Sequence, residues 1–134
     1  VNEIRLVLHG NIRSKKNSKQ LKMCGTRRRL VPSDAYTRWE RDVRWQFRQL
    51  MPDAKLPLIP AWPCAVTRCH VFYRGPEPDL HGCQESIADA LQGFLWGDDG
   101  QIVAWDGVRK YHDKDNPRIE LTVQSGLVLA HPPR

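Results

Sequence analysis

The sequence runs to 134 residues, of which 27% are charged and 40% hydrophobic, and its formal net charge is +6. That length fits one domain able to bury a core, and no apolar run approaches the roughly 20 residues that span a bilayer. No charged, apolar and small-residue order of a signal peptide opens the sequence, so the four cysteines, Cys24, Cys64, Cys69 and Cys83, are expected as free thiols in a cytoplasmic protein without membrane contact.

Ile4, Leu6 and Leu8 alternate with Arg5, Val7 and His9, the period-two pattern of a half-buried strand that ends at Gly10. Residues 11–22 are polar and rich in Lys, Ser and Asn, and Cys24-Gly25-Thr26 offers a turn between two extended pieces, which predicts a basic loop or ribbon. From Ser33, the residues Tyr36, Trp39, Val43, Phe47 and Leu50 recur in steps of three and four, which predicts a helix capped by Ser33 or Asp34. Arg41, Arg44 and Arg48 recur at the same spacing and form a second stripe, expected to face outward.

Pro52, Pro57, Pro60 and Pro63 mark a connecting loop. A second strand is expected over 65–73, ended by Gly75, Pro76 and Pro78. Ile87, Ala90, Leu91 and Phe94 follow helical spacing, which predicts a second amphipathic helix over 81–94 with Gly93 near its end. Residues 101–103 and 119–123 read as two further strands joined by a polar turn at 112–117. The expected fold is α+β, a small mixed sheet with two main helices, as one domain over 1–124 followed by a loose tail over 125–134.

Charge is divided along the chain. Residues 1–50 hold 13 Lys or Arg against 4 Asp or Glu, whereas residues 51–134 hold 8 against 11. Between Gly75 and Val108 stand Glu77, Asp79, Glu85, Asp89, Asp98, Asp99 and Asp106 with no Lys or Arg among them. A basic region can neutralise phosphates while carboxylates hold a divalent cation, which is the division that phosphodiester cleavage requires.

Asp79, Asp98-Asp99 and Asp106 follow separate elements, and a sheet could gather them; Mg²⁺ needs only one or two carboxylates beside water and phosphate. The plain alternative is that Asp98-Asp99-Gly100 is a turn and Asp79 a helix cap. His81, two residues from Asp79, is a further candidate ligand that would suit Mn²⁺ better than Mg²⁺. A zinc set drawn from Cys64, Cys69, His70, His81 and Cys83 is disfavoured, because the cysteine spacing has no matching second knuckle. Lys15, Lys16, Asn17, Ser18, Lys19, Arg27, Arg28 and Arg29 are the candidate DNA contacts.

Three segments in order resemble the RusA family of Holliday junction resolvases. They are Pro78-Asp79-Leu80, the helix with Ile87-Ala88-Asp89-Ala90-Leu91, and Trp96-Gly97-Asp98-Asp99-Gly100-Gln101-Ile102-Val103. The ending Pro117-Arg118-Ile119-Glu120-Leu121 and the early polar stretch Ser14-Lys15-Lys16-Asn17-Ser18-Lys19 are similar to the family as well. The resemblance implies a homodimeric nuclease that recognises branched DNA, cuts four-way junctions with Mg²⁺ or Mn²⁺, and uses Asp79 and Asp99 as metal-binding catalytic carboxylates. His81 and Gly82 stand where the family has a second Asp and an Asn, and Glu85 stands at its helical lysine. Asp98, Asp106, Glu85 or Asp89 would then supply accessory acid. Two other readings are a junction-binding or architectural protein with an impaired centre, and an RNA-directed protein whose basic surface and Trp39, Trp45 and Trp62 serve structured RNA.

Overall fold

A computed structural model describes residues 3–14, 19–25 and 27–126. The first strand, β1 (Glu3–His9), sends Leu6 and Leu8 inward and leaves Arg5, Val7 and His9 outside, so the alternation read from the sequence is the alternation observed. It is followed by a separate two-stranded antiparallel ribbon, β2 (Lys19–Cys24) and β3 (Arg27–Pro32), in which Leu21 opposes Leu30 and Met23 opposes Arg28. Leu21, Met23 and Leu30 are all exposed, as are Arg27 and Arg28.

The first helix, α1 (Asp34–Leu50), starts where expected. The Ser33 hydroxyl oxygen accepts from the Tyr36 amide at 3.1 Å, satisfying one of the orphan donors of the first turn. Tyr36, Trp39, Val43 and Phe47 are buried, but Leu50 at the last turn is 52% exposed. Two expectations for this helix need correction, because Leu50 overhangs the end of the core and Arg44 is not part of an open cationic stripe. Arg44 is half-buried, donating from Nε to the Ala90 carbonyl at 2.9 Å and from Nη2 to the Asp89 carbonyl at 3.2 Å. Its guanidinium satisfies the open end of the next helix.

The central strand is β4 (Cys64–Tyr73), reached through a proline-punctuated loop whose Ile59 amide donates to the Leu95 carbonyl at 2.8 Å. The second helix, α2 (Leu80–Ala90), ends before Phe94, earlier than the apolar spacing suggests. The chain leaves the helix through Gly93 at φ +86 and folds Leu95 and Trp96 into the core, where both are fully buried. Then come a short 3₁₀ turn (Asp99–Gln101), β5 (Ile102–Trp105), β6 (Val108–His112) and β7 (Arg118–Ser125). The polar turn that was to join two strands therefore follows an additional one, β6. The loose tail expected over 125–134 lies mostly outside the described residues, although Ser125 still belongs to β7.

In the sheet the order is β1-β7-β4-β5, with β6 paired to the same edge of β4 farther along. β7 lies antiparallel to β1 and β4, while β5 and β6 lie parallel to β4, so the sheet is mixed and α2 is the crossover between two parallel strands. Cys64 and Val66 face the core, as do Cys69 and Val71; the irregular step between them is a register shift between Val66 and Arg68. Both helices pack on that one face of the sheet. No helix among the described residues is long and apolar enough to cross a membrane.

Candidate metal centre and nucleic-acid surface

Pro76 and Pro78 end the chain's run out of β4 and deliver Asp79 to the N-terminus of α2. Asp79 Oδ2 accepts from the Gly82 amide at 2.8 Å, so the carboxylate caps the helix and remains exposed beside it. Gly82 is explained by packing. A Cβ there would stand 2.5 Å from Ser14 Oγ and 3.3 Å from Asp79 Oδ2, so only glycine lets the segment leaving β1 approach the cap.

That approach makes a cleft of about 230 Å³ lined by Asn11, Arg13, Ser14, Arg74, Glu77 and Asp79 among others. Asn11 ties its walls together, donating from Nδ2 to the Arg74 carbonyl at 3.1 Å and accepting the Arg74 amide on Oδ1 at 2.8 Å. Lys110 on β6 adds a third cation. Its Nζ donates to the Pro78 carbonyl at 2.9 Å and lies 3.3 Å from Glu77 Oε1. Arg74 and Lys110 escape the sequence reading because one lies just past the end of β4 and the other sits on a strand with too few apolar residues to be recognised. The inward parity of Lys110 with Val108 is the only signal for it.

Asp98 and Asp99 lie beyond the other end of α2. Asp98 opens the 3₁₀ turn in a capping box: its Oδ2 accepts from the Gly100 amide at 3.1 Å, and its amide donates to Gln101 Oε1 at 2.8 Å. Gln101 Nε2 in turn donates to the Ile59 and Trp62 carbonyls. The turn-and-cap interpretation therefore holds for both Asp98 and Asp79, alongside any further role. Asp99 differs, since its carboxylate is exposed and has no hydrogen-bond partner among the described residues.

The eleven residues of α2 separate Asp79 from this turn, about 16 Å of helix at 1.5 Å per residue. The sheet shows the same separation, because Ile102 is in register with Cys64 at the start of β4 whereas Asp79 follows Tyr73 at its end. One chain does not bring the two aspartates together. Asp106 sits at neither end, its amide donating to the Val66 carbonyl at 2.8 Å in mid-sheet, and Asp89 lies in the last turn of α2, where Arg44 binds its carbonyl. His81 and Glu85 pair one helical turn apart, Nε2 to Oε1 at 3.4 Å, both exposed. No group of three or more His, Cys, Asp or Glu side chains able to hold a metal occurs among the described residues. Cys64, Cys69 and Cys83 are buried free thiols, with burial pushing Cys69 up to about 12 and the other two to about 11. All three belong to the hydrophobic core.

Of the expected DNA contacts, Lys15, Lys16, Asn17 and Ser18 lie outside the described residues. Lys19 is on β2 and Arg27, Arg28 and Arg29 are on β3, with the Arg27 and Arg28 side chains open to solvent. The ribbon and the cleft both continue from the segment that leaves β1. Arg13 and Arg74 line the cleft beside Asp79, and Lys110 adjoins it through the Pro78 carbonyl.

A protein-family model described as Endodeoxyribonuclease RusA matches residues 9–124. No curated protein matches the sequence.

Proposed function

The chain belongs to the RusA endodeoxyribonuclease family, whose activity is the resolution of Holliday junctions, and from that premise we propose that it is a metal-dependent nuclease of four-way DNA junctions working as a homodimer. The observation that carries this reading is the placement of Asp79. An exposed carboxylate at a helix start shares a cleft with Arg13 and Arg74, where the basic segment begins. Cations position phosphate, and the carboxylate is available to a hard ion.

Oxygen donors of this kind fit Mg²⁺ or Mn²⁺, and Asp79 with Asp99, helped by Asp98, would hold it. Such an ion activates water and stabilises charge on the scissile phosphate. Because a single chain keeps Asp79 and Asp99 at opposite ends of α2, the centre requires two chains, with Asp79 of one facing Asp99 of the other. A two-fold axis passing beside the middle of α2 and perpendicular to it would create two equal sites, which matches the two strands that resolution must cut. Arg13, Arg74 and Lys110 bind and orient the backbone near Asp79. His81 is a ligand that favours Mn²⁺ only when released from Glu85.

The test is cleavage of a labelled four-way junction against linear duplex of the same sequence, in Mg²⁺ and separately in Mn²⁺, with Asp99→Asn as control. Cutting confined to the junction and lost in the variant supports the proposal. The engagement of Asp98 in its cap and of His81 with Glu85 favours a second reading, a junction-binding protein without cleavage. Tight, salt-sensitive junction binding with no product in either metal would establish it.

A further inference from the structure

Both helices cover one face of the sheet, and the other face carries a patterned surface that the cleavage reading does not use. Across it, the strand register sets Arg118 of β7, Phe72 of β4 and Tyr111 of β6 side by side in one row. Arg118 Cζ lies 3.7 Å from the Phe72 ring centre, and Phe72 and Tyr111 stack with centroids 5.1 Å apart at 23°. The next row holds Glu120, His70 and Arg109, with His70 meeting the Tyr111 ring edge-on at 5.4 Å. Arg68 continues the basic pattern; Glu120 takes both Arg68 and Arg118 at 3.0 Å. Arg109 is exposed and has no ion pair among the described residues.

Aromatic rings on the outside of a sheet lose nothing by pairing with each other, but Tyr111 remains 39% exposed at the rim of the row. A ring so placed offers a π-face to a planar partner, and Arg109 beside it offers charge to a polyanion, with Arg68 reachable by exchange from Glu120. A duplex satisfies the second demand and not the first, because its bases are already stacked on one another. An unpaired strand satisfies both.

We propose that this sheet face, which no described element covers, binds unpaired nucleotides of a DNA strand, with a base stacked on Tyr111 and the backbone drawn along Arg109 and Arg68. The inference rests on the reading of branched DNA as substrate, since a junction opened at its crossover exposes such nucleotides. The ribbon grips duplex arms while the sheet face holds the strand released from pairing.

The test is fluorescence anisotropy of a labelled oligothymidylate of about 12 nucleotides, within the span one such surface covers, with the full chain and its Tyr111→Ala, Tyr111→Phe and Arg109→Gln variants. Thermal unfolding verifies that each variant is folded. Tyr111→Ala should weaken binding about tenfold, and Tyr111→Phe should stay within about twofold of the parent, because stacking needs a ring and not a hydroxyl. Arg109→Gln should lower the slope of log K against log salt by about 0.7. Folded Tyr111→Ala that binds the oligonucleotide as tightly as the parent overturns the proposal. So does a Tyr111→Ala variant whose only change is the mass of the particle in sedimentation, since the face would then join two copies. Failure of the parent chain to cut junctions would instead defeat the nuclease reading and leave the Tyr111 comparison standing.

Discussion

Asp79 caps α2 and, in the proposed function, also holds the metal, two roles that a pair of substitutions separates. Its carboxylate caps α2 through the Gly82 amide, and asparagine caps about as well as aspartate, whereas alanine gives up about 1 kcal/mol. Asp79→Asn should therefore unfold within about 0.5 kcal/mol of the parent in urea and yet lose junction cleavage, because an amide does not replace an anionic metal ligand. Asp79→Ala should lose both stability and cleavage. An Asp79→Asn variant that cuts normally would reduce Asp79 to a cap. At this scale the sequence is only partly legible: Asp79 and Asp99 are marked by residue type and order, but nothing in the residues around Gly82 announces that Ser14 packs against it from a distant segment.

At the scale of elements, the contact between helices is the clearest departure from an amphipathic diagram. Arg44 recurs in phase with Arg41 and Arg48 and therefore reads as solvent-facing, yet it lies where the end of α2 presents the Asp89 and Ala90 carbonyls. Together with Arg48 it also stands over the Phe94 ring, at 5.5 Å and 5.6 Å from the ring centre. Arg44→Met keeps the aliphatic stem but removes the donors to half-buried carbonyls, and should cost about 1–3 kcal/mol in thermal or urea unfolding, against less than about 0.5 kcal/mol for Arg41→Met. Equal effects would mean that the carbonyls are satisfied by water instead. The spacing of apolar residues revealed β1, α1, β4, α2, β5 and β7. It missed β6, whose inward positions are Val108 and Lys110, and it could not foresee that α2 stops at Ala90, since Leu91, Leu95 and Trp96 stay apolar after the helical hydrogen bonds end.

For the whole molecule, the five-stranded sheet with two helices on one side separates three surfaces: the Asp79 cleft, the Asp98-Asp99 turn at the far end of α2, and the sheet face opposite the helices. The order of motifs in the sequence makes the aspartates look like one cluster, because order says nothing of the 11-residue helix as a spacer. Under the proposed metal chemistry, its length calls for a second copy to complete the centre. The proposed dimer would then be a requirement of chemistry and not only of symmetry.

The most direct measurement is junction cleavage by Asp79→Asn and Asp99→Asn proteins, assayed apart and after unfolding and refolding together at equal concentration. In a mixed dimer, one site would carry both substitutions and the other neither. Each variant alone should be inactive and the mixture should nick one strand of the junction in Mg²⁺ or Mn²⁺. Two inactive variants whose mixed dimers form and remain inactive would contradict a centre shared between chains.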